Sequence, residues 1–184
     1  MVVTFAPLTR QLHRTMQKIS FRKDILPLKN KLFRLALRIT LNRAEAEDVV
    51  QETLIRVWSR RDEWPRLSSI EAFCLRIAKN LAIDRSEKMD AQTVELTPAD
   101  EQTPDASGPH ERLVAQEQMA LLHRLMDALP EPQRLIIHLR DVEEKPYKEI
   151  AELLDLTEEQ VKVYLFRARQ KIKKRFLDID NYGL

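Results

Sequence analysis

Glycine is nearly missing from this chain: its 184 residues hold only Gly108 and Gly183. That excludes a glycine-rich phosphate loop and suits a chain made almost entirely of helices. Cysteine is scarcer still, since Cys74 stands alone, so no intramolecular disulfide can form. The four histidines, His13, His110, His123 and His138, are too scattered to suggest a metal site. Neither a metal nor a cofactor is expected. Long apolar runs are absent too, and Arg10, Arg14, Lys18, Arg22 and Lys23 interrupt the stretch where a signal peptide needs an unbroken apolar core. A cytoplasmic protein without membrane insertion is the expectation. An excess of one charge is also lacking: the formal net charge is +2, so any affinity for nucleic acid must come from local basic faces. Strand-like alternation is absent, as are internal repeats.

What the chain does have is 43% apolar and 33% charged residues, a balance that suits a soluble globular protein. One stretch breaks the pattern. Between Thr93 and Glu111 stand Pro98, Pro104 and Pro109, with Glu95, Asp100, Glu101, Asp105 and Glu111 and no lysine or arginine. Few apolar side chains and three prolines cannot bury enough surface to offset the entropy of ordering. An extended acidic linker is predicted over 89–110, between helical domains at 22–88 and 111–184, with residues 1–21 as an N-terminal extension.

In the first domain, Leu32, Leu35, Ala36 and Ile39 form an apolar stripe. Asn42 to Glu45 reads as a variant capping box, followed by Val49, Val50, Thr53, Leu54, Val57 and Trp58. A third helix repeats the spacing through Ile70, Phe73, Cys74, Ile77, Ala78 and Leu81. Three helices with matched apolar faces predict a compact bundle. Cys74, on the buried stripe, reads as an inert core thiol. In the second domain, a helix from Leu113 to Leu129 is expected to turn Leu121, Leu122, Leu125 and Met126 inward, to end at Pro130 and to restart at Pro132, where a first turn tolerates proline.

Charge and periodicity then change together. Asp141 to Glu159 holds eight acids against Lys145 and Lys148, whereas Lys162 to Arg175 holds seven bases and no acid. The acidic part carries Ile150, Leu153 and Leu154 at helical spacing. Thr157 can cap a second helix whose core marks are Val161, Leu165, Ala168 and Ile172. A short helix, a tight turn and a basic helix make a helix-turn-helix, whose second helix enters the major groove.

Four local patterns extend the reading. They are Ala46 to Thr53 (AEDVVQET) continuing to Trp58; Phe73 to Arg85 (FCLRIAKNLAIDR); Leu129 to Gln133 (LPEPQ) continuing to Arg140; and Tyr147 to Leu154 (YKEIAELL) with Val161 to Arg169 (VKVYLFRAR). In this order and spacing, from about Ile25 to Lys174, the chain resembles a bacterial RNA polymerase sigma factor of the extracytoplasmic-function type. The resemblance implies an all-α fold of two small domains joined by a flexible acidic linker. It further implies core RNA polymerase, through its largest and second-largest subunits, and promoter DNA as partners, with an anti-sigma factor as a third.

By that resemblance Asp48, Gln51, Glu52 and Trp58 grip the coiled coil of the largest subunit, where acids can pair with arginines on a partner helix. Arg76, Lys79 and Asn80 meet the minus-ten element, with Trp64 as either a stacking platform for a melted base or a cap on the bundle core. Asp84 and Arg85 match a closing acid-base pair that can also be a local salt bridge. Thr157, Gln160, Lys162, Tyr164, Phe166 and Arg167 fall on the helix that contacts the minus-thirty-five element, with Arg169, Lys171 and Lys173 placed for phosphates. Phe166 has a competing assignment to the core. Val163 and Tyr164 replace a small polar residue and an arginine common in the family. Glu144 and Asp155 stand where the family often has glycine; an aspartate tolerates a left-handed turn at modest cost. Leu135, Ile136 and Leu139 with the Leu121 stripe are expected to form the surface that receives the flap-tip helix. By the same resemblance the linker acids lie in the RNA channel, the alternative being a solvated tether between the domains.

A second class fits the C-terminal half alone: a stand-alone helix-turn-helix regulator with an N-terminal sensor domain. The Asp48 to Trp58 and Phe73 to Arg85 patterns argue against it. An enzyme is not expected, because no nucleophile-base spacing, phosphate loop or metal cluster is present.

Overall fold

The structure, a computed structural model, describes residues 19–90 and 109–181, and every element among them is helical. The expectations for the first eighteen residues and for 91–108 lie outside the described residues. A π turn at Phe21–Ile25 and a 3-10 turn at Leu26–Leu28 lead into α1 (Lys29–Thr40) and α2 (Arg43–Ser59). A 3-10 turn at Arg61–Arg66 then precedes α3 (Ile70–Asp90). The second domain comprises α4 (Pro109–Asp127), α5 (Glu131–Ile137), a π turn at His138–Val142, α6 (Tyr147–Leu154) and α7 (Glu158–Asn181).

Helical periodicity decides what each element buries. Leu32, Leu35, Ala36 and Ile39 of α1 meet Ala46, Val49, Val50 and Val57 of α2 and Cys74, Leu75, Ala78 and Leu81 of α3. Thr53 belongs to that core because its hydroxyl donates to the Val49 carbonyl at 2.6 Å, which satisfies its own buried polar atom. Pro132 sits in the first turn of α5, where a missing N–H costs nothing. Leu135, Ile136, Leu139, Ile150, Val161, Leu165 and Ala168 fill the second core. Two expected core positions turn outward: Leu122 is exposed, and Trp58 is 51% exposed at the end of α2.

Helix ends depart from the sequence reading in detail. Asn42 Oδ1 accepts from the Glu45 N–H at 3.2 Å, but the Glu45 carboxylate bonds Arg85 at 2.7 Å, so only half of the capping box forms. Thr157 and Gln160 build the full reciprocal box instead: the Gln160 N–H donates to Thr157 Oγ1 at 3.2 Å and the Thr157 N–H to Gln160 Oε1 at 2.8 Å. Leu41, Glu144 and Asp155 are left-handed, with φ of 51°, 54° and 56°. Glu144 and Asp155 are the two positions singled out as replacing a glycine.

The two domains share one cluster of buried side chains running from Ile25 to Ala168. Arg134 of α5 ties them together, donating from Nε to the Arg38 carbonyl at 2.6 Å and from Nη1 to the Asp127 and Leu129 carbonyls at 3.0 and 3.2 Å. The Arg38 carbonyl belongs to the last turn of α1, whose orphan acceptors need outside donors.

His138 lies in the same region, buried, with neither ring nitrogen hydrogen-bonded among the described residues. Burial, reinforced by Arg38, Arg34 and His123, pushes its imidazole down to about 3. Glu143 Oε1 stands 3.7 Å from Nε2, but Arg34 already takes that carboxylate at 2.7 Å, so the ring stays neutral. A base whose folded value is depressed stabilises the fold fully above its ordinary value and progressively less as pH falls through that value. Between pH 6.5 and 5 the loss should be roughly 2 kcal/mol. Urea midpoints at the two pH values check this, and His138→Leu should flatten the difference.

Candidate nucleic-acid and polymerase interfaces

On α2, Asp48, Gln51, Glu52 and Ile55 recur at i, i+3, i+4 and i+7, so they share one face one above the other. That face points away from the core; Asp48, Gln51 and Ile55 are exposed and Glu52 is half-buried. Glu52 pairs with Arg56 at 2.7 Å, and Arg85 of α3 reaches Glu45 at 2.7 Å and Asp48 at 3.6 Å. Arg85 therefore steadies the acidic face from behind and does not pair with its neighbour Asp84. At the end of the helix Trp58 stands edge-on to Phe21 and Trp64, with ring centroids 5.4 and 6.0 Å away, and Arg61 lies over its ring at 5.5 Å. The result is an exposed apolar pair, Ile55 and Trp58, beside two carboxylates. Such a surface can take both the stems and the heads of arginine or lysine side chains.

On α3, Arg76 and Asn80 are exposed. Lys79 is not: its chain is buried and its ammonium reaches Asp155 of the second domain at 3.3 Å. Trp64 is 7% exposed and donates its indole N–H to the Val57 carbonyl at 3.1 Å. It therefore packs in the bundle core and offers no open ring face for stacking in this conformation.

The helix-turn-helix is closed by the left-handed Asp155, after which the Leu156 N–H bonds back to the Ala151 carbonyl at 3.0 Å. Helix α7 buries Val161, Leu165 and Ala168, which leaves Lys162, Val163, Phe166 and Arg167 on the outer side. Phe166 is 64% exposed, so its assignment to the core is excluded. Tyr164 is half-buried and packs against the core. Arg169 is held bidentately by Asp141, from Nε at 3.1 Å and Nη2 at 2.5 Å, and these bonds raise the guanidinium above its ordinary value. Lys162 lies over the Tyr147 ring at 6.0 Å, and Arg140 over the same ring at 5.0 Å. Lys171 is half-buried and Lys173 exposed along the same helix.

Behind α7 runs an apolar cleft of about 620 Å³ lined by Met119, Leu122, Met126, Ile172, Phe176 and Leu177. Among the described residues no group of three or more His, Cys, Asp or Glu side chains is placed to hold a metal. No helix among them is long and apolar enough to cross a membrane.

Residues 25–91 match the Sigma-70 region 2 family and residues 119–172 the Sigma-70, region 4 family. The chain is 30% identical over 166 residues to the ECF RNA polymerase sigma factor SigW of Bacillus subtilis, covering 85% of this chain and 89% of that one. The chain belongs to the ECF sigma factors. RNA polymerase sigma-H factor of Pseudomonas aeruginosa is 27% identical, over 85% of this chain and 86% of that protein. The sigma factor RpoE of Bartonella quintana, solved in complex with the anti-sigma factor NepR, has the same fold: TM-score 0.72 at 20% identity, over 87% of this chain and 98% of that one.

This sigma factor, which directs RNA polymerase to promoters, keeps its α2 residues together on one face and its α7 residues together on another. Of the α3 set, only Arg76 and Asn80 lie open, while Lys79, Trp64 and Arg85 are engaged within the protein. Sequence reasoning missed Ile55, although an isoleucine outside the core stripe of α2 was itself a signal. It also placed Leu122 in the core when that side chain lines the cleft. Leu135, Ile136 and Leu139 are core residues and do not line the cleft.

Proposed function

We propose that the sigma factor grips the coiled coil of the largest polymerase subunit with Asp48, Gln51, Glu52, Ile55 and Trp58, and reads the minus-thirty-five element with α7. The observation that carries this is the outward set Lys162, Phe166 and Arg167 on a helix whose opposite side packs Val161, Leu165 and Ala168 into the core. Arginine reads guanine with two parallel hydrogen bonds, and the lysines supply phosphate contacts without sequence preference. Arg76, Lys79 and Asn80 of the 22–88 domain engage the minus-ten element. The apolar cleft of the 111–184 domain takes the flap-tip helix of the second-largest subunit, and its shape and lining suit an amphipathic helix laid in a groove. An anti-sigma factor holds the protein inactive by covering these same faces. The protein acts in the cytoplasm beside RNA polymerase and has no catalytic activity of its own.

Reconstitution of the purified protein with core RNA polymerase tests this reading. A stable complex that initiates at specific sites on genomic fragments supports it. Duplex binding without capture of core polymerase overturns it in favour of a stand-alone regulator. Arg167→Ala should weaken promoter binding by about 1–3 kcal/mol while core capture is unchanged, as read by footprinting of the holoenzyme.

A further inference from the structure

Phe21 is the last residue of the expected N-terminal extension, yet it packs with the first domain. Its backbone is set by a closed turn: the Ser20 N–H donates to Asp24 Oδ2 at 2.6 Å, and the Asp24 N–H donates back to the Ser20 carbonyl at 2.8 Å. The Leu26 N–H then bonds the Phe21 carbonyl and completes the π turn. Ile25, fully buried, anchors that turn in the core beside α3. Turn and anchor leave Phe21 half-buried against the core, with its ring 5.4 Å from that of Trp58 and inclined at 81°. Trp64, itself buried, stands 6.0 Å from the same indole at 66°, and Arg61 lies over it at 5.5 Å. Edge-to-face is the arrangement that aromatic quadrupoles favour, so Phe21 and Trp64 each favour a definite orientation of Trp58. Three neighbours thus hold a side chain that is still 51% exposed. Arg61 and Trp64 belong to the turn directly after α2, whereas Phe21 comes from a different stretch of the chain.

We propose that Phe21 is a positioning residue for capture of core RNA polymerase: its ring fixes Trp58, before any partner arrives, in the orientation that the largest subunit meets. The proposal rests on the assignment of Trp58 to the polymerase contact. An exposed side chain at a helix end exchanges rotamers within picoseconds to nanoseconds. Stopping that exchange on binding costs affinity, and a neighbour that stops it beforehand removes the cost. The effect matters most at an aromatic anchor, where binding energy concentrates. The braces are not equivalent. Arg61 is exposed, where a cation over a ring contributes least, and Trp64 is committed to the core through its bond to Val57. The orientation of Trp58 therefore turns on Phe21.

Time-resolved fluorescence anisotropy of the full-length free protein, paired with competition against labelled unmodified chain for core RNA polymerase, tests this. Trp58 and Trp64 are the only tryptophans, and Trp64 is buried, so the emission that acrylamide removes is that of Trp58. In the unmodified chain that emission should depolarise with overall tumbling. Phe21→Leu keeps apolar bulk without a ring; it should raise the fast-decaying part about twofold and weaken core capture about three- to tenfold. Phe21→Tyr, which keeps the ring, should restore both. In a Trp58→Leu background, Phe21→Leu should weaken capture no further, whereas general damage to the fold would add to the loss. A freely reorienting Trp58 in the unmodified chain overturns the proposal. So does a further loss in the Trp58→Leu background, or a Phe21→Leu chain that captures core normally while Trp58→Leu is impaired. Normal capture by Trp58→Leu is a separate result, which overturns the assignment of Trp58 to the polymerase and the proposal with it.

Discussion

Asp48→Lys combined with Glu52→Lys is expected to abolish capture of core RNA polymerase at concentrations where the unmodified sigma factor binds fully. The two carboxylates lie one turn apart on an α2 face whose only other prominent features are Gln51, Ile55 and Trp58. Reversal removes two attractions to a basic partner and installs two repulsions, and like-charge juxtaposition across an interface costs several kcal/mol. A loss of at least about a hundredfold follows, since each 1.4 kcal/mol is tenfold. The fold should survive. Within the chain the substitutions touch only the exposed Glu52–Arg56 pair and the outer of two contacts to Arg85, and pairs of that kind contribute little. Size-exclusion chromatography with core polymerase, alongside circular dichroism, separates the effects. Normal capture by the double variant would remove α2 from the interface.

Arg134→Met should be the most damaging single change to stability. Methionine fills much of the space but cannot donate to the Arg38, Asp127 and Leu129 carbonyls that the guanidinium now serves. A buried acceptor left without its donor costs about 1–3 kcal/mol, so the three together predict a loss of roughly 3–5 kcal/mol even after partial access of water. For a chain of this size that is a fall in Tm of about 6–20 °C. Burial already works against the charge, lowering the guanidinium from its ordinary value. The stabilisation therefore comes from the geometry of the fork and not from charge alone, and Arg134→Lys, which keeps the charge without the fork, should recover little. Thermal unfolding followed by circular dichroism measures both variants.

Much of this arrangement could be read from residue order. Periodicity located the buried faces of α1, α2 and α3 because those faces obey one local rule along a single helix. The charge reversal between Glu159 and Lys162 marked the helix-turn-helix for the same reason. What could not be read was anything set by residues far apart in sequence. Glu143 meets Arg34, Lys145 meets Glu71 and Lys79 meets Asp155. Isolated charges of this sort look the same in a sequence whether they end up solvated or enclosed. Trp64 and Phe166 were ambiguous for a related reason. A large aromatic near a helix end satisfies the hydrophobic effect either way, and only tertiary packing gave Trp64 to the core and Phe166 to solvent. Leu122 went astray because α4 buries a narrower stripe than its leucines suggest. Glu144 and Asp155 were the converse case: a missing glycine marked both left-handed positions.

Cys74 carries a consequence for how this sigma factor can be regulated and observed. Its thiol is fully enclosed by α1, α2 and α3, and burial, with Glu71 adding to it, pushes it up to about 12. At neutral pH only about one thiol in 10⁵ is then ionised, and the thiolate is the species that oxidants and alkylating agents attack. The chain's one cysteine cannot act as its own oxidative sensor, so a redox stimulus must reach it through another molecule. The same enclosure makes the thiol a built-in reporter. Its labelling rate follows the rare openings of the core in which it is buried, so those openings can be timed through it in the unmodified chain.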